Sequence, residues 1–186
     1  MSEFEKLIEQ FRAFPGVGRR QAERFAHHIT RQDIATVKAL SSSLLKARES
    51  AHFCKQCQRL VFDTNSEGLC SICSSPTRDA SVLMVLEKDA DLNHIERAGV
   101  YNGLYFVLGG VLPMRKDTGD NSVRIHKLMK LLEDSKLEIK ELILALSLTP
   151  EGEFTSDFVA EKLSSLKKDA LNISVLGRGL SVGSEL

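Results

Sequence analysis

Four cysteines are the residues whose types and spacing most directly imply chemistry. Cys54 and Cys57 form one Cys-x-x-Cys pair, and Cys70 and Cys73 form a second pair after twelve intervening residues. Two residues between cysteines allow a tight turn that directs both sulfurs to one point, so two such turns supply four thiolates at about 2.3 Å from a zinc ion. Sulfur then fills every coordination position, and the spacing predicts one structural Zn²⁺ with no open position for water or substrate.

A pair of disulfides is the alternative for the same four cysteines. Disulfides require an oxidising compartment. The chain begins Met1-Ser2-Glu3-Phe4, which does not resemble a secretory signal, and no apolar run approaches the ~20 residues of a membrane span. We therefore expect a cytoplasmic protein that holds zinc and has no membrane partner.

The charges of the chain are balanced overall but unevenly distributed. Lys and Arg number 25, and so do Asp and Glu. Residues 1–60 hold eleven of the basic and six of the acidic residues, which leaves fourteen and nineteen for the remaining 126 residues. A net charge of zero argues against a general nucleic-acid binder, but the basic amino end is where an anionic partner would be held.

The basic amino end contains a turn suited to that purpose. Apolar residues at helical spacing lie on both sides of the sequence FPGVG at 14–18, which predicts a helix, a hairpin and a second helix. Gly16 and Gly18 can take positive φ angles, and the second helix then begins with free backbone N–H groups at its positive end. The segment resembles the helix-hairpin-helix DNA-binding motif, which grips a backbone phosphate. The alternative is that it only turns the chain between two packed helices.

Three arginines support the DNA-binding interpretation of this hairpin. Arg19, Arg20 and Arg24 stand in the first turns of the second helix. Cations are unfavourable at a helix amino terminus unless an external anion is also present.

The rest of the chain is predicted to contain a third helix at about 33–51 and then, from residue 80, an alternation of strands and helices. The expected strands are 82–86, 104–108, 142–146 and 173–176, and the expected helices are about 90–97, 122–132 and 155–166. This alternation predicts a mostly parallel sheet with helices on its faces.

Carboxylates follow two of these strands. Glu87 ends the first strand, and Glu151 and Glu153 follow the third, where functional groups of parallel sheets gather. Three carboxylates at one rim favour a Mg²⁺ hypothesis. The alternative is that Glu153, Asp89 and Asp91 only place negative charge at the start of helices.

In this order the features resemble the RecR family of bacterial recombination mediators, and the likeness spans nearly the whole chain. The matching segments are 14–18 with Arg20, Ala22, Arg24 and Ala26; the four cysteines; 85–87 with Asp91, Ile95 and Glu96; 103–108; 151–153; and 178–180 with Gly183, Glu185 and Leu186.

The resemblance implies an α+β protein of several domains. A helix-hairpin-helix domain would occupy 1–52 and a four-cysteine zinc finger 53–78. An α/β Toprim domain, the fold shared with topoisomerases and primases, would occupy 79–178. Residues 179–186 would begin a carboxyl-terminal segment that is shorter than in the family.

The resemblance also implies a protein without catalytic residues. Gly16, Gly18, Arg19, Arg20 and Arg24 would contact DNA, and the chain would form a dimer or a tetrameric ring. With RecO, and also RecF, it would help to load RecA on single-stranded DNA.

Two other functions remain open from the residues alone. One is a Toprim-type enzyme that acts on phosphodiesters through metal held by Glu87, Glu151 and Glu153. The other is a zinc-stapled adaptor that binds only proteins and uses the hairpin as a dimer contact.

Overall fold

The computed structural model describes residues 1–63, 67–114, 123–133, 137–164 and 171–177. They form two compact units, Met1–Ser50 and Ala51–Leu186. The predicted segment 179–186 and Arg178 lie outside the described residues. No helix of the described part is long and apolar enough to cross a membrane.

The first unit is helical, as predicted. It contains α1 (Glu3–Arg12), α2 (Arg19–Thr30) and α3 (Ile34–Ser50). Helix α1 begins at a capping box, in which Glu5 N–H donates to Ser2 Oγ at 3.2 Å and Ser2 N–H donates to Glu5 Oε2 at 2.6 Å. Ala22 and Ala26, one turn apart on α2, are fully buried, and their small side chains let α1 and α2 pack closely.

The two glycines of the hairpin between α1 and α2 differ in conformation. Gly16 has a φ of 75°, a left-handed conformation that favours glycine. Gly18 is extended, with a φ of −78° and a ψ of 168°, because it is the amino-terminal cap of α2. The freedom to take a positive φ is therefore used at Gly16 and not at Gly18.

The second unit contains the cysteines and an α/β body. Its elements in chain order are β1 (His52–Phe53), β2 (Leu60–Val61), β3 (Asp79–Leu86), α4 (Asp89–Ala98), β4 (Gly103–Val107), α5 (Ile125–Glu133), β5 (Glu141–Ala145), α6 (Pro150–Ser164) and β6 (Asn172–Val175). Strands β1 and β2 pair antiparallel. The other four form a parallel sheet in the order β4-β3-β5-β6, which confirms the predicted α/β fold and the α+β class of the chain.

Alternate residues of β3 face two different cores. Leu83 and Val85 pack on one face of the sheet, against residues of α5 and α6. Met84 and Leu86 pack on the other face, in a cluster that includes Leu92 of α4 and the buried cysteines. The cysteine segment is therefore one of the layers that cover the sheet.

Helix α6 begins five residues earlier than predicted. Thr149 precedes it, and its hydroxyl accepts a hydrogen bond from Gly152 N–H at 3.2 Å, as a helix cap does. Pro150 follows at the first helical position, where its missing N–H costs nothing. Glu151 and Glu153 consequently lie in the first turn of α6 and not in a loop before it.

Candidate metal centre and nucleic-acid interface

The four cysteine sulfurs lie together, all within 4.8 Å of one another. Cys57 Sγ and Cys70 Sγ are 3.7 Å apart. Four sulfurs arranged as a tetrahedron at about 2.3 Å from zinc would be about 3.8 Å apart, so the spacing fits such an ion. The cysteines are free, and 3.7 Å far exceeds a disulfide bond of about 2.05 Å, so the disulfide alternative is wrong for this structure.

The other three thiols, together with one backbone N–H group, favour thiolate character at Cys54. Cys70 N–H donates to Cys54 Sγ at 3.3 Å. Hydrogen bonds from Cys57, Cys70 and Cys73 hold the pKa of the Cys54 thiol well below its ordinary value. The same contacts raise the pKa of the Cys57 and Cys73 thiols, so the position of the four sulfurs, and not the pKa of one thiol, is what allows the cluster to hold a metal ion.

Gln58, which follows the first cysteine pair, was not singled out from the sequence. It has a φ of 60° and is the one described residue other than glycine with a positive φ. Its side-chain amide donates to Cys54 O at 3.2 Å and to Lys55 O at 3.1 Å, which closes the turn. Nothing in the sequence marks a glutamine for this conformation, except that a residue after Cys-x-x-Cys must reverse the chain.

The four-cysteine segment is tied to β4 and to α4 through its backbone groups. Val107 N–H, at the end of β4, donates to Cys57 O at 2.8 Å. Leu60 N–H donates to the Asp89 carboxylate at 2.8 Å. A change in the cysteine turns therefore reaches the carboxyl end of β4 and the start of α4.

Asp89 and Asp91 serve the start of α4, as the structural alternative predicted. Both lie in its first turn, and Asp91 Oδ2 accepts a hydrogen bond from Lys88 N–H at 3.0 Å. Asp89 is engaged with Leu60.

The hairpin places its arginines on the surface of the first unit. Gln21 N–H and Ala22 N–H donate to Gly18 O at 3.1 and 3.0 Å, and these are the first hydrogen bonds of α2. The N–H groups of Arg19 and Arg20 come earlier in the chain and have no acceptor within the helix. A Cβ added to Gly18 would meet nothing within 4 Å, so this amino terminus is open.

The three arginines differ in their partners. Arg19 Nε donates to Glu23 Oε1 at 3.0 Å in an exposed pair. Arg24 reaches only the Gln21 side chain, at 3.3 Å, and no acceptor for the Arg20 side chain is found among the described residues. Arg20 and Arg24, one turn apart and both exposed, are therefore the hairpin cations least engaged within the chain.

Glu87 is buried at the end of β3 and is already paired. Lys88 Nζ lies 2.6 Å from Glu87 Oε1. Burial raises the pKa of the Glu87 carboxyl, but hydrogen bonds from Lys88 and Ser147 outweigh it and hold the pKa below its ordinary value. The group is thus an ionised carboxylate neutralised by its neighbour, and not a poised acid.

The other two predicted rim residues do not join Glu87 around one point. Glu87 lines one concavity and Glu153 a second, and Ser147 lines both, while Glu151 lines neither of the two. In the described part of the chain, the cysteine cluster is the only group of three or more His, Cys, Asp or Glu side chains placed to share an ion.

A further group of side chains that sequence reasoning missed joins the segment after the four cysteines to α4 and to the sheet. The Arg78 guanidinium donates to both carboxylate oxygens of Glu96 on α4, and Tyr105 on β4 donates to Glu96 Oε1 at 2.6 Å. Glu96 belongs to a segment singled out by resemblance, but its partners are 18 and 9 residues away, beyond what a local pattern can show.

Comparisons with known proteins agree with this architecture. Residues 4–48 match the family described as RecR, helix-hairpin-helix, and residues 81–177 match the Toprim domain family. The chain is 39% identical over 182 residues to the recombination protein RecR of Bacteroides thetaiotaomicron, and 37% identical over 182 residues to that of Porphyromonas gingivalis. It is 36% identical over 181 residues to that of Lacticaseibacillus casei. These alignments cover 98%, 98% and 97% of this chain and 84%, 84% and 87% of the relatives.

The fold and its metal-binding cluster define a Toprim-domain protein with an amino-terminal helix-hairpin-helix and a four-cysteine finger. Sequence identity above 35% to several RecR proteins, over nearly the full chain, identifies one family within this class. The chain belongs to the RecR family.

Proposed function

We propose that this protein is a non-catalytic DNA-binding mediator of recombinational repair. On this proposal it acts in the cytoplasm as a homo-oligomer, a dimer or a tetrameric ring. It works with RecO-like and RecF-like proteins to help load a RecA-like recombinase on single-stranded DNA. The name of its relatives, recombination protein RecR, supports a role in recombination, and the family resemblance suggests the partners.

The observation that carries DNA binding is the open amino terminus of α2. Gly16 turns the chain, and Gly18 leaves space in front of the N–H groups of Arg19 and Arg20. A phosphate in that space would accept hydrogen bonds from backbone N–H groups and would be attracted by the helix dipole and by Arg20 and Arg24. Such contacts fix the position of a nucleic acid and carry no base information.

The metal proposed for the cysteine cluster is one structural Zn²⁺. The ligands would be Cys54, Cys57, Cys70 and Cys73, and four thiolates with a spacing near that of a tetrahedral site favour zinc. With no open coordination position, this ion would hold the turns in place and take no part in chemistry.

The absence of catalysis is part of the proposal. It is supported by Glu87, which is paired with Lys88, and by the finding that Glu87, Glu151 and Glu153 are not among the described side chains placed to share one ion. Incubation of the zinc-loaded protein with labelled DNA and Mg²⁺ or Mn²⁺ is expected to give no cleavage or joining, and turnover that Glu87→Gln abolishes would contradict this.

The test of DNA binding is the double variant Arg20→Gln with Arg24→Gln. The matched control is Arg31→Gln with Arg48→Gln, which removes the same charge from exposed positions of the same unit. We expect the hairpin variant to bind single-stranded DNA more weakly, with a salt dependence flatter by about 1.5 units in the log–log slope, the value for two phosphate contacts.

The control should keep the wild-type slope. Equal slopes for the hairpin variant and the wild type would remove the hairpin from DNA binding. Retained binding of a RecO-like protein with no DNA binding at low salt would favour the protein-only adaptor.

A further inference from the structure

A basic concavity lies in the second unit, between the cysteine turns and α5. Its volume is about 320 Å³, and three lysines line it: Lys55 from the first cysteine turn, and Lys127 and Lys130 from α5. The side chain of Gln58 and the apolar Leu131 complete much of its wall. No acidic residue is among the lining residues, although acidic and basic residues are equally numerous in the chain.

The helix places its lysines by simple periodicity. Lys127, Lys130 and Leu131 are three and four residues apart, so they share one face of α5. Leu128 and Leu132 lie on the buried face and anchor the helix in the core of the sheet. The two ammonium groups are therefore presented together on a helix that cannot rotate without breaking the core.

The cysteine turn fixes the third lysine. Lys55 lies between two cysteine ligands, and its N–H donates to Gly68 O at 3.1 Å. A Cβ on Gly68 would lie 2.7 Å from Lys55 Cε, so the aliphatic stem of Lys55 runs along this glycine. The position of the Lys55 charge thus depends on the fold of the finger.

The charges of the concavity have no anionic partner within the described chain. Lys127 Nζ donates to Gln58 Oε1 at 2.8 Å, a neutral acceptor. Arg124, close to the same turn, donates to Gln58 O at 2.7 Å and to Val107 O at 3.2 Å, which are also neutral. The salt bridges among described residues include none from Lys55, Lys127 or Lys130. Three like charges brought to one concavity repel one another unless an anion joins them.

We propose that this concavity, the lysine pocket, binds a phosphate of a nucleic-acid backbone. The site would be a second DNA contact, separate from the hairpin of the first unit, and it rests on the proposed DNA-binding function. Lysine ammonium groups bind phosphate as point charges and do not discriminate bases, so the contact would hold the strand without sequence preference. Leu131 gives the adjoining sugar an apolar surface.

The test compares two double variants of the full zinc-loaded chain. Lys55→Gln with Lys130→Gln removes two charges from the lysine pocket and leaves Lys127, which holds Gln58, unchanged. Lys140→Gln with Lys162→Gln is the matched control, since both lysines are exposed in the same unit and do not line the pocket. We expect the pocket variant to flatten the salt dependence of single-stranded DNA binding by about 0.7–1.5 units, the value for one or two phosphates, and the control to leave it unchanged.

Lysine acetylation of the wild-type protein, read by mass spectrometry, locates the contact directly. Single-stranded DNA should protect Lys55, Lys127 and Lys130 from an amine-acetylating reagent, and should leave Lys140 as reactive as before. Protection by inorganic phosphate at the same phosphate concentration, to the same degree, would overturn the assignment to a nucleic-acid backbone in favour of a free phosphate.

The hairpin variant separates this inference from the proposed function. If Arg20→Gln with Arg24→Gln weakens binding while the pocket variant behaves as wild type, the lysine pocket is refuted and the hairpin stands. If the pocket variant alone weakens binding, the pocket stands and the hairpin assignment falls. Wild-type slopes in both variants would refute both.

Discussion

Replacing Gly152 by alanine changes the free energy of unfolding in two opposite ways, because helix propensity favours alanine and packing disfavours it. The structure indicates that the packing contribution is the larger. On α6, alanine is favoured over glycine by about 1 kcal/mol. A Cβ at Gly152, however, would lie 2.0 Å from Ser147 O and 2.9 Å from Ser147 C. These are backbone atoms of the segment that joins β5 to α6, so they cannot move aside as a flexible side chain would. Overpacking of this kind costs about 1–3 kcal/mol and occasionally more, and an overlap this deep belongs at or above the upper limit.

We therefore expect Gly152→Ala to lower the free energy of unfolding by about 2 kcal/mol after the gain in propensity. Urea unfolding of the zinc-loaded protein, followed by tyrosine fluorescence, measures this in the right unit, because both tyrosines, Tyr101 and Tyr105, flank or lie in β4. Gly177→Ala is the control, since its Cβ would meet nothing within 4 Å and the change should be neutral or stabilising by a few tenths of a kcal/mol. A Gly152→Ala protein as stable as the wild type would show that the start of α6 does not pack closely against Ser147.

Two further predictions concern the second unit. Glu96→Gln should destabilise it by about 2 kcal/mol at neutral pH, because Arg78 and Tyr105 lose a charged acceptor. Arg78, first among the causes, holds the pKa of Glu96 below its ordinary value, so this stability is present above the unfolded pKa of about 4.3 and is lost as pH falls through the folded pKa. The difference in the free energy of unfolding between wild type and Glu96→Gln, measured by urea unfolding, should accordingly shrink below about pH 4. A difference that does not change with pH would contradict the stabilising role given to the Glu96 carboxylate. Cys57→Ser should lose about one equivalent of zinc in metal analysis of freshly purified protein and destabilise the finger, and a wild-type protein without zinc would contradict the metal proposal.

The sequence was most informative where one residue type or a short period determines the structure. Four cysteines at the right spacing predicted the cluster, and apolar runs bounded by helical periods predicted the four parallel strands of the sheet. Both patterns are local, because a strand buried on two faces must be apolar throughout and a four-sulfur site needs paired turns.

One local signal and several long-range contacts account for what the sequence analysis did not show. The predicted start of α6 is too late because the apolar periodicity begins only near Thr155. The earlier signals for a helix start are Thr149, which forms the cap, and Pro150, which is the first helical residue. Gln58 and the Glu96 group depend on partners far along the chain. The rim carboxylates were expected together because they follow strands of one parallel sheet, but Glu151 and Glu153 lie in the first turn of α6, and no group of three carboxylates placed to share an ion is found among the described residues.

The cysteine finger also explains why the sheet needs no further helix on one face. Met84, Leu86, Tyr105 and Val107 point to the face where Cys54, Cys57, Cys70 and the finger residues Val61 and Ile72 are buried. In a finger this small, a metal ion bound by the four cysteines would supply the folding energy that its few apolar residues cannot. Loss of the ion would therefore uncover one face of β3 and β4 and release Val107 N–H from Cys57 O. For that reason metal removal should loosen the α/β body as well as the finger, and hydrogen exchange at the Val107 amide, compared with and without a zinc chelator, measures that coupling. Equal protection in both conditions would show that the sheet holds its carboxyl end without the finger.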